Sequence, residues 1–343
     1  MKVNYEFGSD NHSGIHPKII KEIDSVNKGF SLAYGDDEYT KEAINRFKEN
    51  FGKDIDVYFV GNGTAANILC LKAITNSFNS IICPETAHLN VHECCGPEKF
   101  LGCKIETVET TDGKLTTDLI KQKIVGVGDV HMAQPKVVSI TQVSELGTIY
   151  TPQEIKKISD FAHKHNMLLH MDGARLCNAA AYLNSSLSKI TRDVGVDLLS
   201  FGGTKNGMMF GDAVVFFDKK LSKNFEFYRK QGMHLTSKMR FISAQFNAFF
   251  KNNLWLKNAE HANSMAELLS EKLKDLPNFI ITQKVESNAV FVKIPKKLNS
   301  KILKKYFFHV FNKEQNIIRL MCSYNTKSED IIKFTQFLKK IEK

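Results

Sequence analysis

Two short stretches carry side chains whose types could do chemistry together: Lys205 in SFGGTKNG and Asp172 in HMDGAR. Each follows an apolar run, DLLSF before the lysine and MLLHM before the aspartate. Lysine is the side chain that condenses stably with an aldehyde. A buried carboxylate keeps a pyridine nitrogen protonated, so that the ring can draw electrons from a breaking bond. Pyridoxal phosphate needs both groups.

A third stretch, GNGTAAN (61–67), follows the apolar run VYFV and opens a helical pattern. Gly61 and Gly63 permit close backbone approach, and Thr64 offers a hydroxyl. The unpaired N–H groups of a helix start, aided by its dipole, then form a phosphate cradle. The same loop also fits a dinucleotide fingerprint through Gly61, Gly63 and Ala66, with Glu85 about 20 residues on. A nicotinamide enzyme is therefore an open alternative. Against it, that fingerprint ordinarily sits on a first strand, whereas two helical patterns precede it here. It also leaves SFGGTK without a role.

The elements that must position these groups alternate in type. HPKIIKEIDSV and TKEAINRFKENFG read as helices, the second closed by Gly52. Strand patterns then follow at VYFV, SIIC, KIETV, KVVSITQ, MLLHMD, DLLSFGG and AVVFFD. Helices at AANILCLKAI, TTDLIKQKI, TPQEIKKISDFAHKH and ARLCNAAAYL separate them. Apolar strands alternating with helices predict an α/β fold whose large domain holds a mostly parallel seven-stranded sheet, covered on both faces. Ligands bind such sheets at the carboxyl ends of the strands, where Lys205, Asp172 and the glycine loop all fall. One long helix is expected over SKMRFISAQFNAFFKNNLWLKNAEHANSMAELLSEKLKDL. A strand at ESNAVFVKIP, a helix at KILKKYFFHVF, a strand at QNIIRLMCSY and a helix at EDIIKFTQFLKKIEK would form a smaller α+β domain. The expected division is 15–250 and 251–343, with residues 1–14 packed near the active site.

Composition narrows the classes. Hydrophobic residues make up 43% and charged residues 24%, ordinary for a globular protein. The start MKVNYEFGSD lacks the apolar stretch of a secretory signal, and no run approaches a bilayer span, so a cytoplasmic location is expected. Seven scattered cysteines without a CxxC pair argue against a disulfide framework, and eleven histidines without HExxH-type spacing predict no metal site. The net charge of +10 is spread along the chain, with pairs such as Lys296–Lys297, Lys304–Lys305 and Lys339–Lys340 on helical faces. No nucleic-acid module accompanies it, so neither nucleic acid nor membrane is an expected partner.

SDNHSG (9–14), YGDDEYT (34–40), VGNGTAAN (60–67), ETAHLNVHE (85–93), HMDGARL (170–176) and SFGGTKNG (200–207) occur in an order that resembles the L-threonine aldolases of low specificity. These belong to the β-eliminating lyase group of fold-type-I, aspartate-aminotransferase-like pyridoxal-phosphate enzymes. The resemblance spans nearly the whole chain, and DGAR with the downstream lysine is its most specific part. It implies pyridoxal 5′-phosphate as cofactor and cleavage of threonine, allo-threonine and related β-hydroxy-α-amino acids to glycine and an aldehyde. Another lyase of the group, or an aminotransferase, remains the alternative. Lys205 would carry the cofactor, Asp172 would pair with the ring nitrogen, and Gly63 and Thr64 would hold the phosphate. Arg175 would reach the cofactor's phenolic oxygen or the substrate. His88 would stack on the ring and handle the substrate hydroxyl, with Glu93 at the family's spacing behind it. Ser9 and Arg319, helped by Arg175, would grip the substrate carboxylate. Tyr34, and more loosely Lys238, would serve the site of a neighbouring subunit in a homo-oligomer, dimer or tetramer. In TQVSELGTIY, Glu145 stands near the place of a histidine that some members carry beside the cofactor.

Overall fold

The computed structural model describes residues 3–342. The seven strand patterns read from the sequence form one sheet: β1 (Asp56–Val60), β2 (Asn79–Pro84), β3 (Lys104–Val108), β4 (Gln134–Thr141), β5 (Leu168–Gly173), β6 (Leu198–Gly202) and β7 (Asp212–Phe216). Their order is β1-β7-β6-β5-β4-β2-β3. β7 runs antiparallel to β1 and β6, and the remaining neighbours pair in parallel. Both faces of the central strands are covered: every residue of β2 and β7 is buried, as is all of β6 except its last glycine. That is why they read as continuous apolar runs rather than alternating ones. The parallel strands gather their carboxyl ends at one edge. Antiparallel β7 begins at that same edge, with Asp212.

Local signals fix the helices around the sheet. Asp37 caps Glu38–Phe51 by accepting from the Thr40 N–H, and Gly52 ends it at φ 112°. Thr151 and Glu154 form a reciprocal capping box on Pro152–Lys164. Asn62 caps Gly63–Lys72, a helix buried from Ala65 through Leu71 because it is sandwiched between sheet and surface helices. A cluster of phenylalanines (Phe47, Phe51, Phe59, Phe201, Phe246) joins helix Glu38–Phe51 to the sheet, with ring centroids 5.0 to 5.8 Å apart for several pairs.

Two expected elements differ. The long helix over 237–276 is broken into Arg240–Phe250 and Leu254–Lys274. Asn252 and Asn253 sit at φ 55° and 54°, the left-handed region that asparagine tolerates better than most residues. The helix expected over KILKKYFFHVF starts earlier, at Lys296, and stops at Leu303. Its aromatic half instead supplies β10 (His309–Asn312), the kind of residues a pleated surface favours. With β8 (Ile280–Ile281), β9 (Ala289–Lys293) and β11 (Ile317–Met321) it forms an antiparallel sheet in the order β10-β11-β9-β8. The N-terminal stretch lies along this small sheet, where the Met321 N–H donates to the Phe7 carbonyl. It then delivers Asp10 to the edge of the large sheet. No helix among the described residues is long and apolar enough to cross a membrane.

One close approach holds the two loops of greatest interest in register. A methyl group on Gly202 would stand 2.9 Å from both Cα and the carbonyl oxygen of Ala174. Gly202 ends β6, three residues before Lys205, and Ala174 follows Asp172. Gly202→Ala must therefore push the lysine loop away from the aspartate loop. We expect a loss of about 1–3 kcal/mol of stability, the usual cost of overpacking, measured as a lowered Tm and denaturant midpoint. An unchanged Tm would show that the contact yields without cost.

Candidate functional site

The carboxyl edge of the sheet encloses a cleft of about 240 Å³. Residues singled out in the sequence line it together: Gly63, Thr64, Ala66, His88, Glu93, Glu145, Asp172 and Lys205. Lys205 comes from the single turn after β6, Thr204–Asn206, which ends at Gly207 with φ 100°. Asp172 is the penultimate residue of β5, opposite Thr141 of β4 and Ser200 of β6. Gly63 and Thr64 open the helix after β1. Asn62 satisfies the Ala65 N–H, and the first N–H groups, at Gly63 and Thr64, have no acceptor within the helix.

Behind the cleft runs a chain of polar contacts. His88 Nδ1 lies 2.9 Å from Glu93 Oε1. The side-chain amide of Asn67 donates to Glu93 Oε1 at 2.9 Å and to Asp172 Oδ2 at 3.0 Å. The Ala174 N–H donates to the other oxygen of Asp172 at 3.0 Å. Asp172 and Glu93 are both at most 5% exposed, so one buried amide bridges two buried carboxylates. The hydrogen bond to Glu93 raises the His88 pKa above its ordinary value, overcoming the burial that would lower it, with the charges of Asp172 and Glu145 adding to the rise. With Nδ1 donating to Glu93, a neutral ring presents Nε2 as an acceptor toward the cleft.

Arg175 donates through Nε and Nη2 to the two oxygens of Asp10, at 2.7 and 2.9 Å. Burial would raise the Asp10 carboxyl, but the Arg175 guanidinium and its hydrogen bonds hold it at about 2. Asn288 donates to Asp10 as well. Arg175 is thus held by Asp10 and stands one step back from the cleft, in a small recess shared with Arg319 and Glu145. Arg319, on β11, has a buried Nε without a hydrogen-bond partner among the described residues. Burial, and then the neighbouring Arg175, weaken its hold on its proton. Arg175 is already paired with Asp10, which leaves Arg319, sharing the recess with Glu145, as the guanidinium able to take an anion. Ser9, next to Asp10 in the chain, is buried and accepts from the Asn11 N–H.

Tyr34 and Lys238 stand apart from this cleft. Tyr34 is half exposed at φ 61°, its N–H bonded to the Ser237 carbonyl, and Lys238 is exposed. Glu85, the acidic residue of the dinucleotide fingerprint, lies within 3.3 Å of the Thr110 hydroxyl and away from the cleft.

Several residues of the site were not singled out from the sequence. Asn67 lay inside the glycine motif, and an amide in an otherwise apolar helix was a usable signal. Asp10 sat inside SDNHSG. Ser200 lines the cleft beside Asp172, and Asp212 heads the apolar strand DAVVF as its one charged residue.

The residues fit pyridoxal phosphate on structural grounds. An amine, a bridged carboxylate, unsatisfied helix N–H groups and an imidazole wall converge on one cleft, and it is bordered by an arginine whose Nε has no partner among the described residues. Fold and site together define a pyridoxal-phosphate enzyme of fold type I. The model of the β-eliminating lyase family matches residues 6–296. A low specificity L-threonine aldolase of a Pseudomonas species is 41% identical over 94% of this chain and 93% of its own. That of Pseudomonas aeruginosa is 40% identical over 95% and 94%. The structure of Leishmania major threonine aldolase superposes with a TM-score of 0.93 at 28% identity, covering 99% of this chain and all of that one. This chain belongs to the β-eliminating lyase family, whose members depend on pyridoxal phosphate, and the dinucleotide alternative falls away.

Proposed function

We propose that this chain is an aldehyde-forming carbon–carbon lyase that splits L-threonine, L-allo-threonine and related β-hydroxy-α-amino acids into glycine and an aldehyde. The observation that supports it best is the convergence on one cleft of Lys205, Asp172 and the Glu93-bound His88, bordered by an arginine whose Nε lacks a partner. The 40–41% identity to low specificity L-threonine aldolases along most of the chain points the same way.

The bound cofactor supplies an electron-withdrawing ring that accepts the electrons of a bond broken at the substrate's α-carbon. Lys205 would hold it, Asp172 would pair with its ring nitrogen, and the N–H groups of Gly63 and Thr64 would take its phosphate. Arg319 receives the substrate carboxylate, with Ser9 and the Asp10-anchored Arg175 beside it. Fixing that carboxylate fixes rotation at the α-carbon, and so selects which bond breaks. His88 Nε2 takes the proton of the β-hydroxyl as the carbon–carbon bond opens. A base so placed contributes about 10²–10⁴-fold. Tyr34 and Lys238 serve the cleft of a neighbouring copy in a cytoplasmic homo-oligomer. The wholly exposed Phe30 and the exposed Leu32 and Met233 give that assembly an apolar face.

The reading is tested by the absorbance of the purified protein before and after borohydride, then by acetaldehyde and glycine release from L-threonine. A keto acid in place of the aldehyde would move the reaction to an aminotransferase.

His88 yields a further expected result. Activity should rise as pH climbs through its raised pKa, because the base must be neutral. Glu93→Gln removes the contact that raises this pKa, so the acid limb of kcat/KM should move to lower pH. A limb that stays in place would assign it to another group.

A further inference from the structure

Asp212 has no part in the chemistry above, although it stands in the wall of the cleft. As the first residue of β7 it lies between Val60 of β1 and Gly202 of β6. Those are the residues just before the glycine loop and the lysine loop. One carboxyl oxygen accepts from the Gly203 N–H at 3.1 Å. The other lies 3.5 Å from where a β-carbon on Gly63 would be, so it borders the N–H groups assigned to the phosphate. A buried carboxylate is therefore set against the place where a phosphate would arrive. Two anions in contact in a partly dehydrated wall repel strongly.

The surroundings offer a resolution. Lys205 attracts the Asp212 charge and Asp172 repels it. The helix Gly63–Lys72 has no acidic side chain in its first turn. On the β1 side the neighbour is His234, whose Nδ1 accepts from the Gly61 N–H and whose pKa burial lowers, so it brings no charge at neutral pH. The helix Arg240–Phe250 faces this corner with Ile242, in contact with Gly211. Burial lifts the Asp212 carboxyl to about 6, against the lowering effects of the Gly203 N–H and Lys205. An added phosphate charge can only lift it further.

We propose that Asp212 takes up one proton when the cofactor's phosphate enters and then donates a hydrogen bond to it, so that cofactor loading is proton-coupled. This rests on the cofactor reading above. One solvent proton joins one carboxyl oxygen, and no other bond is made or broken. Uptake is largest between the free and loaded pKa values. Affinity should therefore fall as pH rises above about 6, by up to about tenfold per pH unit for a single linked proton.

The test uses pyridoxine 5′-phosphate, which has the phosphate but no aldehyde to condense with Lys205. Calorimetric titration in two buffers of different ionisation enthalpy, at a pH above about 6, counts protons for the wild type and for Asp212→Asn. The wild type should take up close to one proton more than the variant, and the variant's affinity should be nearly flat with pH. Equal proton counts would overturn the proposal. Infrared difference spectra of wild-type protein carrying ¹³C-labelled aspartate give a measurement independent of the variant's folding. Adding the probe should create a protonated-carboxyl stretch, and its absence would also overturn the proposal. Failure of both pyridoxine phosphate and pyridoxal phosphate to bind would instead bring down the cofactor reading, and this inference with it.

Discussion

Lys205→Ala should leave a folded protein that has no cofactor absorbance sensitive to borohydride and turns over threonine at least about 10³-fold more slowly. Loss of a covalent participant typically costs this much or more, since no neighbour can repeat its bond. Among the described residues, the cleft holds no other amine. The other basic groups nearby are Arg175, locked to Asp10 through two hydrogen bonds, and Arg319, which stays protonated and cannot condense. Folding should survive, because Lys205 sits in a partly buried single turn rather than in a core cluster. Absorbance, steady-state kinetics and a thermal melt on one preparation decide the matter. A native-like melt with wild-type turnover would remove Lys205 from the mechanism.

The large sheet was legible because its strands are buried on both faces. Seven apolar runs, most of them bounded by helical patterns, left little choice of type, and the motifs fell at strand ends where parallel strands collect them. The small sheet was less legible. KILKKYFFHVF carries helix formers and strand formers in succession, and only packing against β11 settles where one gives way to the other. The break at Asn252–Asn253 was written in the sequence as an asparagine pair, but the helical periodicity on either side masked it. Within the site, the residues whose types suit a ligand and that converge on the cleft were readable: a lysine, an aspartate, a glycine loop. Those that act through partners were harder. Asn67, Asp10 and Asp212 gain meaning from neighbours 105, 165 and 9 positions away, and pairings over such distances leave no local trace.

Asp172→Asn should weaken cofactor retention and lower kcat by about 10²–10³-fold, the usual cost of removing one preorganised electrostatic contact with developing charge. The substitution keeps shape and burial while deleting the charge proposed to pair with the ring nitrogen. It also disturbs the chain behind the cleft. Asn67 spends its amide on Asp172 and Glu93, and its own oxygen has no partner among the described residues. If the new amide turns its NH₂ toward Asn67, two donors meet. If it turns its oxygen there, its NH₂ faces the Ala174 N–H in place of an acceptor. Either way one buried donor loses its bond, which costs about 1–3 kcal/mol. Two consequences can therefore be separated: a melt reports the broken chain, and the cofactor spectrum with kcat reports the lost charge. Asn67→Ala provides the contrast, since it cuts the chain and leaves the Asp172 charge in place. It should lower the melt comparably while retaining far more kcat than Asp172→Asn. Equal kcat losses in the two variants would mean that Asp172 acts by holding the architecture, and that the electronic role assigned to it is wrong.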